Sequence, residues 1–171
     1  MPTVELAVPV EQSLRYQLFP ELSKESPMSI ASQNASVLRT QFAQPDALLR
    51  FGIGLDGVAT GTAAVGLLIA AKWLVEPLGP SLQFQVGHAA ALIGYGVLAF
   101  ALSRADRSRL GTIGVVYIAA NLLATVLYVM AGVMTWVPLT TAGVTLCIAF
   151  GVYTAVMADI QFLGLRRLRS A

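Results

Sequence analysis

From Ala47 onward the apolar positions run almost without a break, and the polar ones gather in a few short interruptions. A helix needs about 20 residues of low polarity to cross a bilayer. Four segments meet that length, at about residues 47–71, 82–102, 110–136 and 139–163. Outer-membrane strands are shorter, about 9–11 residues, and alternate apolar with polar, a pattern absent here. The predicted fold class is therefore all-α: a polytopic membrane protein folded as an antiparallel bundle of four transmembrane helices. Its membrane domain covers residues 46–165.

The breaks have physical causes. Pro77, Gly79 and Pro80 end the first segment. SRADRSR, from Ser103 to Arg109, is too charged for hydrocarbon and forms the second connection. Trp136, Val137 and Pro138 make a very short third turn, which predicts that the third and fourth helices are antiparallel neighbours. Trp73 and Trp136 fall at predicted helix ends on one side, where the bilayer interface favours tryptophan.

Residues 1–45 differ in kind. They hold five of the eight prolines and seven charged residues, with no apolar run long enough to span. They lack the basic stretch followed by an apolar stretch that marks a secretory signal. This part is expected to be a disordered polar tail with one short helix near residues 10–18. Met28 offers an alternative start, which would make residues 1–27 an extension. Residues 166–171 are expected to form a short basic tail.

Composition agrees with the pattern. Hydrophobic residues make up 56% and charged residues 12% of the chain, against about 25% charged in soluble domains. A net charge of +2 is too small to point to nucleic acid. Its distribution says more. Arg39, Arg50, Arg104, Arg107, Arg109, Arg166, Arg167 and Arg169 fall on one side of the predicted bundle, and only Lys72 on the other. The positive-inside rule then predicts an inner (plasma) membrane protein with both termini cytoplasmic. The sequon-like Asn34-Ala35-Ser36 would lie on the wrong side for glycosylation. Arg104, Arg107, Arg109, Arg166, Arg167 and Arg169 are expected to anchor that side to anionic lipid head groups.

Lipid gives helices no hydrophobic reason to associate, so close backbone packing and hydrogen bonds must hold the bundle together. Gly54, Gly57 and Gly61 lie on one face of the first helix, continued by Ala64. They serve either internal packing or a homodimer, with internal packing favoured. Cys147, Gly151, Thr154 and Ala158 form a weaker stripe on the fourth helix, with Cys147 read as a small buried hydrophobe.

Candidate chemistry lies in polar groups at membrane depth, which are costly and face the bundle interior. Asp56 is placed about 9 Å beyond Arg50 along the helix, with Thr60 one turn further on. It is either a proton- or cation-carrying carboxylate or a structural one, paired with Arg50 or Arg104 or hydrogen-bonded to a neighbouring helix. On the third helix Tyr117, Asn121, Thr125 and Tyr128 share one stripe, since they recur at helical spacing. His88 and Tyr95 share a face of the second. If these faces meet, a ladder forms with Asp56 low, Asn121 and Tyr95 central, and His88 and Tyr128 high. It would be hydrogen-bonding glue, a proton path, or a pocket for a small amphipathic molecule such as a quinone head group. Asp159 and Gln161 are expected at the interface. One histidine makes no zinc site, which wants four ligands, so no metal is expected. Phosphate-loop, nucleophile-elbow, HExxH and CxxC motifs are absent. Nothing names a reaction.

Three stretches carry a resemblance: LLRFGIGLDGVATG at residues 48–61, the central Asn121, and QFLGLRR at residues 161–167. Over about residues 47–168 the chain resembles a group of small bacterial four-helix integral membrane proteins. In plan it also resembles the DoxX-like proteins, some of which are linked to quinone or thiol oxidoreduction. That resemblance implies quinone as a ligand; no cofactor is otherwise evident. Small multidrug exporters also place an acidic residue in the first of four helices. Here the acid is Asp56, the aromatic–Glu pattern is missing, and the arginine bias opposes dual topology. The first expectation is a non-catalytic accessory or partner-binding subunit. A DoxX-like quinone-binding component comes second, and a proton-coupled transporter using Asp56 third.

Overall fold

The computed structural model describes residues 44–134 and 136–171. The expected tail helix near residues 10–18, the Asn34 sequon, Arg39 and Met28 lie outside the described residues. Residues 44–171 form one compact unit. It is all-α, with four helices: α1 (Ala47–Leu78), α2 (Leu82–Leu102), α3 (Arg107–Val133) and α4 (Thr141–Arg169). Each is long and apolar enough to cross a membrane. The expected antiparallel four-helix plan is present.

Four boundaries differ from the sequence expectation, the first being α3, which begins at Arg107, inside the expected Ser103–Arg109 connection. α1 continues through Trp73, Leu74 and Val75 and includes Pro77 in its last turn. A proline ends a helix near itself rather than a full turn or more upstream. Gly79 then turns the chain at φ 102°, a conformation that favours glycine, and its N–H donates to the Val75 carbonyl at 2.8 Å. The third connection is longer than a three-residue turn, because α3 stops at Val133 and α4 starts at Thr141. Thr140 caps α4 by accepting from the Gly143 N–H at 3.2 Å. Its own N–H donates to the Leu78 carbonyl at 3.0 Å, and its hydroxyl donates to the Pro77 carbonyl. The loop is thereby tied to the end of α1. Finally, the expected basic tail is helical as far as Arg169. Arginines suit the negative end of a helix dipole, so the helix runs on through them.

Antiparallel order gives the bundle two unlike ends. One carries Arg50, Arg104, Arg107, Arg109 and the Arg166–Arg169 turn; the other carries Pro77, Pro80 and Pro138. α1 packs extensively on α2 and α3 on α4, α1 also meets α4, and α2 scarcely touches α3. Gly57 lets α1 and α2 touch backbone to backbone. A Cβ there would stand 2.7 Å from the Gly96 carbonyl oxygen and 2.8 Å from the Phe100 nitrogen. Gly61 faces Gly96 as well, and Gly54 faces Ser103. The glycine stripe therefore serves packing within the chain. Near the arginine end Leu49, Ile53, Ala99, Leu110, Tyr117 and Leu165 form the apolar core.

The rest of the molecule is inverted relative to a soluble protein. Its outer surface is apolar, with Ile69 70% and Val133 72% exposed. Fully buried large side chains include Asp56 and Gln161.

Candidate functional site

Every helix sends a polar side chain to one point, and that point is Asp56. Its side chain is fully buried. From α2 the Tyr95 hydroxyl donates to Oδ2 at 2.6 Å. From α3 the Asn121 amide donates to the same oxygen at 2.8 Å. From α4 the Gln161 amide adds a third bond there at 3.1 Å. Oδ1 receives the Tyr153 hydroxyl at 3.1 Å and the Thr60 hydroxyl at 3.2 Å. An ionised carboxylate only accepts, with about four lone-pair sites. Five donors fill it. Asn121 also donates to Gln161 Oε1 at 3.2 Å, linking two of the donors to each other.

No cation takes part. Arg50 turns to the surface instead, where its Nε donates to Asp46 at 2.8 Å. Its Nη1 donates to the carbonyls of Ser103 at 3.0 Å and Ala105 at 2.7 Å. It thus covers the end of α2, whose last carbonyls have no partner within the helix. Arg104 donates to the Phe100 carbonyl and lies over its own neighbour, with the guanidinium 3.7 Å from the Phe100 ring centre. Of the two structural arrangements expected for Asp56, pairing with Arg50 or Arg104 is not the one present; hydrogen bonding is, with neutral donors from all four helices. Among the described residues Arg50–Asp46 is the only ion pair. The guanidinium of Arg50 holds the Asp46 carboxyl below the usual carboxylate range.

The expected ladder separates into two pieces. Asp56, Thr60, Tyr95 and Asn121 share the cluster. His88 and Tyr128 form a second pair, Nε2 to hydroxyl at 3.0 Å, and this pair bridges α2 and α3 where those helices are otherwise apart. Phe84 stacks on His88, and Phe150 stacks on Tyr128. Thr125 donates to the Asn121 carbonyl at 2.9 Å and lies 2.8 Å from the Thr154 hydroxyl. Tyr117 is drawn into the apolar core with its ring against Tyr95, and its hydroxyl has no hydrogen-bond partner. It shares the stripe but makes no bond in the cluster.

Two members escaped the sequence reading. Gln161 was expected at the interface because GLRRLRS follows it. α4 continues eight residues beyond it, about 12 Å, so Gln161 lies in the interior. Tyr153 stood out in no stripe. The available signal was Thr154 and Gln161, seven residues apart and hence on one face, with Tyr153 beside them. Asp159 carries no bond to the cluster.

Where α2 and α3 scarcely touch, cavities open among the four helices. One cavity of about 350 Å³ is lined by Thr60, Tyr95, Asn121, Tyr153, His88 and Tyr128 among others, so the Asp56 cluster forms its polar wall. A second, of about 310 Å³, extends toward the proline end past Leu74, Gln85 and Cys147. The two share Phe84, His88, Leu92, Tyr128, Ala131 and Phe150. Together they make an aromatic-lined slot with polar groups at defined points, the usual character of a small-molecule site. Among the described residues no group of three or more His, Cys, Asp or Glu is placed to hold a metal. Arg104, Arg107, Arg109, Arg166, Arg167 and Arg169 are all exposed at one end.

Comparison with protein-family models, with curated proteins and with solved structures finds no match to this chain.

Proposed function

We propose that the chain is a multi-pass protein of the inner membrane, with both termini cytoplasmic, that holds the planar head group of a lipid-soluble molecule of the quinone class. The observation that carries this reading is the slot among the four helices, walled by stacked aromatic side chains and by the Asp56 cluster. A flat ring fits between such faces, since offset and edge contacts between rings are favourable. An apolar tail would leave through the gap between α2 and α3, whose outer faces are themselves apolar. The resemblance to DoxX-like proteins points the same way. In this reading the chain is an accessory membrane subunit that binds the ligand and presents it to a partner, and the exposed arginines lie against anionic head groups.

The transporter reading has less support. A carboxylate that loads and unloads a proton or cation needs access to its oxygens. Both oxygens of Asp56 are occupied, and the side chain is fully buried.

The test is extraction of the purified chain with organic solvent and mass spectrometry of what is released. A quinone-class compound is expected in near-stoichiometric amount from wild type and not from Ala124→Phe, which fills the cavity beside Asn121. A chain that releases none, and binds none added to it, is not a quinone carrier. Recovery of a stoichiometric protein partner with an empty slot would leave the accessory role alone standing. Reporter fusions test the orientation: a periplasmic signal from the Ser103–Arg109 loop would overturn it.

A further inference from the structure

We propose that the slot selects head groups that donate hydrogen bonds, so that it takes the reduced, dihydroxy form of a ring in preference to its dicarbonyl form. This rests on the ligand reading above and specifies which ligand chemistry the site accepts.

Direction of bonding is the basis. Asp56 is an acceptor on both oxygens, and it turns every neighbouring donor toward itself. The hydrogens of Tyr95, Tyr153 and Thr60 are taken up by the carboxylate or, between Thr60 and Tyr153 at 3.4 Å, by each other. Both amide hydrogens of Asn121 are used, one on Asp56 and one on Gln161. All four of these residues line the inner cavity. What their hydroxyls have left for a ligand is lone pairs. A carbonyl oxygen arriving at that wall meets acceptors; a hydroxyl meets partners.

The far end of the slot repeats the arrangement independently. Gln85 is only 3% exposed and lines the outer cavity. Its Nε2 donates to the Pro80 carbonyl at 2.9 Å. That bond fixes which way round the amide lies, because an oxygen could not face the carbonyl. Gln85 Oε1 is then a buried acceptor with no partner, a state that carries a free-energy penalty until a donor arrives. Between the two ends the His88–Tyr128 pair keeps one hydrogen to offer, whichever partner donates within the pair. Acceptors thus outnumber donors along the slot, and the free donors, one on the His88–Tyr128 pair and the second Nε2 hydrogen of Gln85, suit the lone pairs that a hydroxyl also carries.

Equilibrium dialysis of the full-length chain in detergent, against protein-free micelles, provides the test. The probes are 1-naphthol and 1-methoxynaphthalene, which share a ring system and differ in whether the oxygen bears a hydrogen. Wild type is expected to hold 1-naphthol about fivefold more tightly, the value of one neutral hydrogen bond. Methylation adds apolar area, so any bias from greasiness runs the other way. Tyr153→Phe and Gln85→Met are each expected to narrow the preference. Equal or reversed affinities in wild type would overturn the inference while leaving the ligand site intact. A preference unchanged in both variants would overturn its assignment to these acceptors. Binding of neither probe would overturn the site and the inference together.

Discussion

The arginine end and the proline end of this bundle are built on opposite rules. At the arginine end the helices close on one another. Leu49 is fully buried and lies against Gly114 and Gly164, where an added Cβ would meet it at 2.9 and 2.6 Å. Ile53, Leu110 and Leu165 complete a dry core. Toward the proline end α2 and α3 part and cavities open; His88 to Tyr128 links those two helices, while α4 is tied to the end of α1 by Thr140 and by the close approach of Gly143 to the Leu78 carbonyl. Asp56 sits at the junction. The lesson is that, where lipid removes the hydrophobic drive, closure comes from backbone proximity, and space for a ligand appears where two neighbouring helices, α2 and α3, scarcely meet.

The sharpest way to break that comparison is at its closed half. Gly57→Leu is expected to abolish accumulation of folded protein. Its side chain would have to displace the backbone of Gly96 and Phe100, not a flexible tip, and overpacking of that kind costs about 3 kcal/mol or more. Gly66→Ala and Gly87→Ala are the controls in the open half. Nothing lies within 4 Å of a Cβ at either position, so their melting temperatures should match wild type or exceed it slightly through helix propensity. Thermal unfolding of detergent-solubilised variants, monitored by size-exclusion chromatography, ranks all three. A tolerated Gly57→Leu would mean that the α1–α2 contact does not set the stability of this end.

The next largest effect belongs to the junction. Asp56→Asn keeps the shape but gives one acceptor where there were two and turns an amide N–H₂ toward its former donors. Several donors then lack partners at about 1–3 kcal/mol each, so the expected drop is more than about 3 kcal/mol. Asn121→Leu should be milder, since it removes a donor and leaves four others on the carboxylate. If Asp56→Asn melts like wild type, the cluster does not hold the four helices together.

Much of this organisation was legible beforehand, and the exceptions have physical causes. Four apolar runs of spanning length can only be helices, and the arginines mark one end whatever the tertiary packing. Asp56, Tyr95 and Asn121 announced themselves because a costly group at membrane depth must face inward. Their shared target did not, because pairwise contact depends on helix rotation and neighbour order, which spacing alone leaves open. Arg50 was the natural partner for Asp56 by charge. It lies six residues away, about a third of a turn around the helix from Asp56 at 3.6 residues per turn, while Asp46 lies four residues away on its own face. Gln161 is masked by the arginines after it, and Tyr153 by the apolar residues at helical spacing on either side, Ala149, Phe150, Val156 and Met157. The slot was invisible, since a cavity is a property of what fails to touch.

In the open half the cross-links should prove nearly dispensable for folding. Tyr128→Phe removes the bond to His88 and leaves the stack on Phe150. Interhelical hydrogen bonds in membranes average about 0.6 kcal/mol, so a shift of a few degrees at most is expected. Affinity for a bound ring should fall, because a donor in the slot is disturbed. A variant that loses as much stability as Asn121→Leu would show that the proline end is closed by polar bonds rather than held open around a ligand.

The smallest effect tests whether the arginine end depends on charge at all. The Asp46 carboxyl is held below its ordinary value of 3.8 by Arg50. A depressed carboxylate contributes stability above its unfolded value, and the contribution is lost as pH falls through the folded one. Wild type should therefore lose a little stability below about pH 4, and Asp46→Asn should lose less over that window. The ion pair is partly exposed, so its own worth is under about 1 kcal/mol. Arg50→Gln should cost more than Asp46→Asn, because Arg50 also holds the Ser103 and Ala105 carbonyls. Equal effects of the two substitutions would mean that the end is stapled by the charge pair. The expected inequality places the staple in the carbonyls that Arg50 covers, and so in backbone closure, like the glycine contacts beside it.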